Sequence, residues 1–440
     1  MIASLMSGLR GLLSSSSESL ERVCGVKGAN DRVDALTLLC RDVLRRSDLC
    51  HIDGVLHCFN GMYYEPCDRG LVLAVLGNLL VDMGVSPTDV RKMSDMPLSV
   101  LSERSYRRGG LLAFANGVLD VGGMMFREGF DSSLIVSESL PFRYDPSALC
   151  PMWDAFLAEM LPDASVRSVL QEFFGMCYLD RERFSVEKFA LFVGRGANGK
   201  SVIFEVMKRV LGRDNVSTLD ASQLTDEKML PYLKGRRLNF SPDMARSKDF
   251  SSALKALASG QDVTARGIFR DAETVKAPPL CFAMNEMPVF RDVTDAFFRR
   301  VLLFRFEVQI PSDRQDRRLV ERICQSDLPG IFNWVLAGRD RLVGNDGQFS
   351  GSGKMDGDLG LLRSEVSQSA YPVKAYLEGR GYSLRPVYDG QPFTLVSQNE
   401  IDMGLRGSVS RYAITSELKR FGVPTFRSKE LFYKVYQREG

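Results

Sequence analysis

The octapeptide Gly194-Arg195-Gly196-Ala197-Asn198-Gly199-Lys200-Ser201 constrains this chain more than any other stretch. It satisfies G-x-x-x-x-G-K-[ST] and lies between a strand-like apolar run, Phe189 to Val193, and a helical run, Val202 to Leu211. Glycines in such a loop leave backbone N–H groups free to wrap phosphate oxygens, and the helix after the loop points its positive end at them. Lys200 then reaches the β and γ oxygens, while the Ser201 hydroxyl takes a position on Mg²⁺. The eight residues from Gly194 to Ser201 are therefore expected to bind a nucleoside triphosphate, with ATP and Mg²⁺ as cofactors. Short apolar runs at Phe189 to Val193, Leu280 to Met284 and Val301 to Phe306, separated by helical and polar stretches, predict an α/β fold with a parallel sheet around the loop.

GTPases, kinases and motors share such loops, so the choice among them rests on the residues downstream. Leu238-Asn239-Phe240-Ser241-Pro242-Asp243 reads as a short strand ending in a carboxylate about forty residues beyond Lys200, where a Walker B acid holds the metal and polarises water. The run Leu280 to Met284 ends in Asn285, a polar tip suited to sensing the γ-phosphate or orienting the attacking water. Arg299 and Arg300 then precede another strand. An arginine placed there can stabilise transition-state charge on the nucleotide of a neighbouring subunit.

Five runs in order carry a family resemblance: G-R-G-A-N-G-K-S, N-F-S-P-D, L-K-A-L-A-S-G-Q-D-V-T-A-R (Leu254 to Arg266), C-F-A-M-N-E-M-P (Cys281 to Pro288) and F-F-R-R-V-L-L-F-R-F (Phe297 to Phe306). Together they resemble a superfamily 3 helicase, and within that superfamily the poxvirus D5-like and phage or plasmid P4-type primase-helicases. Upstream, A-N-G-V-L-D (Ala115 to Asp120), L-P-F-R-Y-D-P (Leu140 to Pro146) and the Phe173-Phe174-Gly175 region are similar to the pre-helicase part of that family. The resemblance implies an AAA+-like P-loop ATPase working as a hexameric ring that draws one DNA strand through its centre. It assigns nucleotide contact to Gly194, Gly199, Lys200 and Ser201, the Walker B role to Asp243, sensor 1 to Asn285 and the arginine finger to Arg300, with Arg299 as its substitute. Ser201 and Asp243 would share the metal, and Arg266, Arg270 and Lys276 would grip DNA phosphates in the pore. Many relatives end Walker B with two adjacent acids. Here Pro242-Asp243 offers one, which either acts alone or recruits Glu286.

The resemblance further implies single-stranded and forked DNA as substrates and a separate primase and polymerase as partners, because the residues upstream of the helicase part are accounted for without a primase. A ring ATPase that loads or remodels replication proteins, and a DNA-attachment protein that has lost hydrolysis, are the competing readings. Fifty-seven basic residues against 55 acidic ones give a net charge of only +2, so contact with a polyanion has to come from locally sorted charge. Nine cysteines without a C-x-x-C pair predict a reducing compartment, the cytoplasm, or the host cytoplasm if the source is viral. No membrane association is expected, since the longest apolar runs fall short of a bilayer span. His51 and His57 beside Cys50, Cys58 and Cys67 invite a zinc hypothesis, but the spacing matches no common finger, and neighbours on a strand face opposite ways.

The expected organisation is a mixed α+β N-terminal domain (1–145), a helical collar or linker (146–185), the ATPase domain (186–345), and a loop with a basic, winged-helix-like module (346–440). Asn60-Gly61 and Asn116-Gly117 each predict a type I′ hairpin turn. Leu71 to Leu80 reads as a buried helix, Gly344 to Gly360 as a loop, and Arg236 and Arg237 as solvated surface. From Arg406 onward eight basic residues stand against three acidic, with Phe432, Tyr433 and Tyr436 among them.

Overall fold

Phe189–Val193 and Leu280–Met284 carry no charged side chain, and strands of that kind need both faces covered. A computed structural model describes residues 2–52, 54–93, 101–102, 104, 110–180, 183–242, 251–266, 272–285, 294–384, 391, 393–406, 408–427 and 431–437. In it the two strands are neighbours, buried at every position. They belong to a parallel five-stranded sheet in the order Val301–Arg305, Phe189–Val193, Leu280–Met284, Leu238–Ser241, Val216–Ser217. Ala190 and Phe192 face the helix Lys200–Val210 through Ile203 and Met207. Phe189, Leu191 and Val193 face a second cluster with Leu254, Leu257, Leu362 and Val366. Because all five strands run the same way, their C-terminal ends share one edge, and ligands of open α/β sheets bind beyond that edge.

The first of these clusters continues into the upstream residues. Phe114 packs edge-on to Phe332 with ring centroids 5.0 Å apart, and Phe142 and Tyr144 also meet Phe332. Residues 112–144 therefore share a core with the helix Leu328–Gly344. That helix crosses Ala164–Gly175 with almost no space between backbones. A Cβ on Gly338 would lie 2.1 Å from the Gln171 carbonyl oxygen, and one on Gly175 would lie 2.2 Å from the Arg339 nitrogen. A separate N-terminal cluster joins Leu9 and Leu13 to Leu36, Val43, Leu76 and Leu79. The expected helix at 71–80 forms as Arg69–Asp82, capped by Asp68, whose side chain accepts from the Leu71 N–H.

Three local expectations are corrected. The first hairpin pairs Phe59 with Tyr64, so its loop spans four residues, and the positive φ falls on Gly61 alone of the Asn-Gly pair. In the second, Phe114 pairs with Gly117, which makes Ala115 and Asn116 the turn residues. Gly117 is needed for another reason: a Cβ there would sit 2.1 Å from the Arg127 carbonyl oxygen on the third strand, Met125–Glu128. The third correction concerns the loop expected at 344–360, whose second half is helix, Gly353–Ala370. Met355, Leu362 and Val366 are buried, and that packing overrides the low helix propensity of three glycines.

At the C-terminal end, helices Pro372–Gly379, Gln398–Gly404 and Arg411–Arg420 cover one face of a small sheet. Its strands are Tyr382–Ser383, Phe393–Ser397, Thr425–Arg427 and Leu431–Gln437. Val373, Ile401, Ile414, Leu418, Tyr433 and Val435 form a core of their own there. Among the described residues, no helix is long and apolar enough to cross a membrane, and no group of three or more His, Cys, Asp or Glu is placed to hold a metal.

Candidate functional site

The loop expected to bind phosphate sits where the fold gives it the most support. Gly194 continues the strand Phe189–Val193 and donates its N–H to the Met284 carbonyl at 3.1 Å. From the other side, the Phe306 N–H reaches the Val193 carbonyl at 2.7 Å and the Ile310 N–H reaches the Ala197 carbonyl at 2.8 Å. Asn198, buried, donates Nδ2 to the Phe306 carbonyl at 3.2 Å. Ala197 has φ of 59°, in the left-handed region that costs a non-glycine residue free energy, so these contacts hold a conformation the chain would not adopt alone. Gly199 caps the helix at φ 82°, and a side chain there would strike Met160 and Phe156 within 3 Å. Arg195, Gly196, Ala197 and Ser201 are exposed at the crown.

Lys200 points inward, 8% exposed, and donates Nζ to the Gly194 carbonyl and to Asn198 Oδ1 at 2.9 Å. Burial holds its pKa below the ordinary lysine value. Among the described residues both acceptors are neutral, so they solvate the ammonium without neutralising it. A polyanion in the loop would complete it. Beside the loop, Met160, which also lies against Gly199, lines a cavity of about 190 Å³ with Asp163, Arg305, Glu307, Val308 and Lys354.

Asn285 comes directly after Met284, which is in register with Val193, so its exposed side chain stands next to the start of the loop. Asp243 falls outside the described residues. The strand leading to it, Leu238–Ser241, is buried and lies beside Leu280–Met284. Asn239 in that strand is fully buried and satisfied: Oδ1 accepts from Ser217 Oγ and from the Leu219 N–H, each at 2.9 Å, and Nδ2 donates to the Leu219 carbonyl. Sequence reasoning passed over this residue, which ties the outer strand to the one carrying the acid.

Arg299 and Arg300 lie at the opposite, N-terminal end of the sheet, where the Phe189 N–H donates to the Arg300 carbonyl. A five-residue strand spans about 16 Å, so neither is placed to meet the loop of its own chain. The two differ from each other. The Arg300 side chain is 11% exposed and pairs with Glu187 at 2.6 Å, whereas that of Arg299 is 64% exposed and 3.5 Å from the same carboxylate. Glu187 is a second residue that the sequence did not single out.

Residues Asp262–Arg266 and Ala272–Lys276 form an antiparallel hairpin whose tip, with Arg270, lies outside the described residues. The register puts Asp262, Thr264 and Arg266 on one face with Thr274 and Lys276, while Ala265 and Val275 are buried on the other. Arg266 and Lys276 are exposed. Arg237, expected at the surface, is instead 9% exposed: Nε donates to Glu138 Oε2 at 2.7 Å and the guanidinium lies over the Tyr178 ring. The sequence could not announce this, because the partners come from segments some sixty and a hundred residues away.

Two family models match the chain: residues 90–162 the one described as D5 N terminal like, and residues 192–300 a family of unknown function, DUF5906. Among curated proteins, it is 27% identical over 234 residues to "Putative helicase 121R" of Invertebrate iridescent virus 3. It is also 27% identical over 220 residues to "Putative helicase L207/L206" of Acanthamoeba polyphaga mimivirus. Each match covers 47% of this chain but only 24% and 22% of the respective relative. Among solved structures, the apo C-terminal region of NrS-1 superposes with a TM-score of 0.51 at 11% identity, covering 88% of this chain and 96% of that one, a likeness of fold.

Proposed function

On the premise that the chain is a member of the D5-like helicase family, we propose that it is an ATP-dependent DNA helicase of a viral, phage or mobile-element replication system. The observation that carries this reading is the loop Gly194–Ser201 at the C-terminal edge of a parallel sheet, with Asn285 beside it and within it a buried Lys200 whose acceptors among the described residues are neutral. Backbone N–H groups of the loop and Lys200 bind the triphosphate, and the neighbouring cavity receives the rest of the nucleotide. Ser201, exposed on the first helical turn, and Asp243 would hold Mg²⁺, which when bound neutralises charge on the phosphate oxygens. Asn285 orients the attacking water.

Arg299 or Arg300 completes the site of an adjacent copy, since neither is placed to meet its own loop. Of the two, Arg299 is the finger and Arg300 its buried anchor on Glu187. A finger supplied in trans requires a neighbouring copy, and the assembly we propose is a homo-hexameric ring in which the exposed hairpin faces carrying Arg266 and Lys276, with Arg270, line the channel for single-stranded DNA. The domain division, the AAA+-like core, the winged-helix-like C-terminal module, a separate primase and polymerase, and a cytoplasmic location belong to the same proposal.

Strand separation tests it. With ATP and Mg²⁺ the full chain should unwind a forked duplex, and the Lys200→Ala variant should not. ATP turnover without unwinding would favour a ring that loads or remodels other proteins. Nucleotide binding without turnover would favour an attachment protein.

A further inference from the structure

The C-terminal sheet has two faces, and the helices cover one. On the strand Leu431–Gln437, Tyr433 and Val435 point into the core, so Phe432, Lys434 and Tyr436 point away from it. Register places Phe393 opposite Tyr436, Leu395 opposite Lys434 and Phe426 opposite Phe432. All six side chains therefore share the face without helices. Among the described residues it is apolar and partly open: Phe393 is 52%, Phe426 48% and Leu395 42% exposed, while Tyr436 is buried. Large rings left half in water on one sheet face mark an interaction site, because no core among the described residues of the module uses them.

The arrangement names its ligand. Phe393 with Tyr436 and Phe426 with Phe432 form two aromatic ends, separated by about 13 Å along the strand at ~3.3 Å per residue. Lys434 lies between them along the strand and turns its ammonium to the first end, 4.0 Å from the Phe393 ring centroid and 5.4 Å from that of Tyr436. Separate flat faces with a cation between them match separate bases joined by phosphate, whereas a protein partner of matching apolar character would gain nothing from the buried cation. By contrast, the two arginines of the helix Arg411–Arg420 on the covered side are engaged internally. Arg411 is held by Asp402 and Asn399, and Arg420 lies over Tyr371.

We propose that this open sheet face is a stacking platform for single-stranded nucleic acid, with Phe393, Phe426 and Phe432 taking bases and Lys434 the intervening phosphate. It extends the helicase reading by adding a site outside the ATPase core, and it binds without nucleotide.

Fluorescence anisotropy of a labelled oligo-dT with the full chain, without ATP, tests it. Because the rings are exposed, their replacement leaves the core intact. Phe393→Ala and Phe426→Ala should each weaken binding by roughly tenfold, and Phe393→Trp should retain it. Lys434→Gln should lower the slope of log affinity against log salt by about 0.7, while Tyr412→Ala on the helix should change nothing. Photo-crosslinked thymines should map to Phe393, Phe426 or Phe432. Lys200→Ala, which removes ATP turnover, should leave this binding unchanged, so failure of the ATPase reading is seen separately. Unchanged dT affinity in the Phe393→Ala, Phe426→Ala double variant overturns the platform. So does a fall in its oligomeric mass by light scattering, which would make the face a contact between copies.

Discussion

A buried ammonium with only neutral acceptors is costly until an anion completes it, and among the described residues Lys200 is such a group. The residues around it are fixed by contacts, so small additions there should have large effects. A Cβ at Gly194 would lie 2.3 Å from the Phe306 carbonyl oxygen, against backbone that cannot yield. Gly194→Ala should therefore displace the loop and weaken nucleotide binding at least tenfold by titration with a fluorescent ATP analogue, with the fold retained by circular dichroism. The arginine pair separates structure from chemistry. Arg299→Ala should abolish turnover with little change in thermal midpoint, because its ion pair is exposed and worth at most ~1 kcal/mol. Arg300→Ala should lower the midpoint by several degrees, since it strips a shielded partner from Glu187. Mixing Arg299→Ala subunits with Asp243→Asn subunits should restore part of the activity, whereas purely dilutive loss would count against action in trans. Thiols give an independent check of packing: burial pushes Cys40 and Cys150 up to about 12 and Cys281 well above the ordinary thiol value. At pH 8, thiol reagents should label exposed Cys24 quickly and these three only after unfolding.

Among the elements, those with local causes were legible and those with distant causes were not. The loop, its strand and its helix could be read because glycines, an apolar run and a lysine stand in one short segment. The helix Gly353–Ala370 could not, because its three glycines argue against it and only docking of Met355, Leu362 and Val366 explains it. The Asn116-Gly117 turn shifted by one residue because Gly117 answers to a third strand. Arg237 looked like surface because Glu138 and Tyr178 are remote in sequence. These distant contacts set the cost of breaking them. Gly338→Ala should cost about 1–3 kcal/mol in urea unfolding, since the added methyl would push the paired helices apart at the Gln171 carbonyl. Arg237→Met should cost ~3–5 kcal/mol by removing the guanidinium paired with the buried Glu138 carboxylate, with Glu138→Gln in the same background recovering part of it.

At the scale of the molecule, the net charge of +2 gave little sign of nucleic acid, and the proposed function reconciles the two. On the proposed function, positive groups are needed only where DNA would pass, on the hairpin face with Arg266 and Lys276 and beside the rings of the C-terminal sheet, while the remaining surface stays mixed. On the proposed reading, the position of Arg299 and Arg300 at the far end of the sheet makes the isolated chain half a site and ties activity to assembly. The most direct measurement is phosphate release from ATP with and without single-stranded DNA, for the natural chain and for Lys200→Ala. Turnover that DNA stimulates is expected in the natural chain, and no turnover in the variant. DNA-stimulated release that survives Lys200→Ala would contradict the assignment of this loop as the site of ATP hydrolysis.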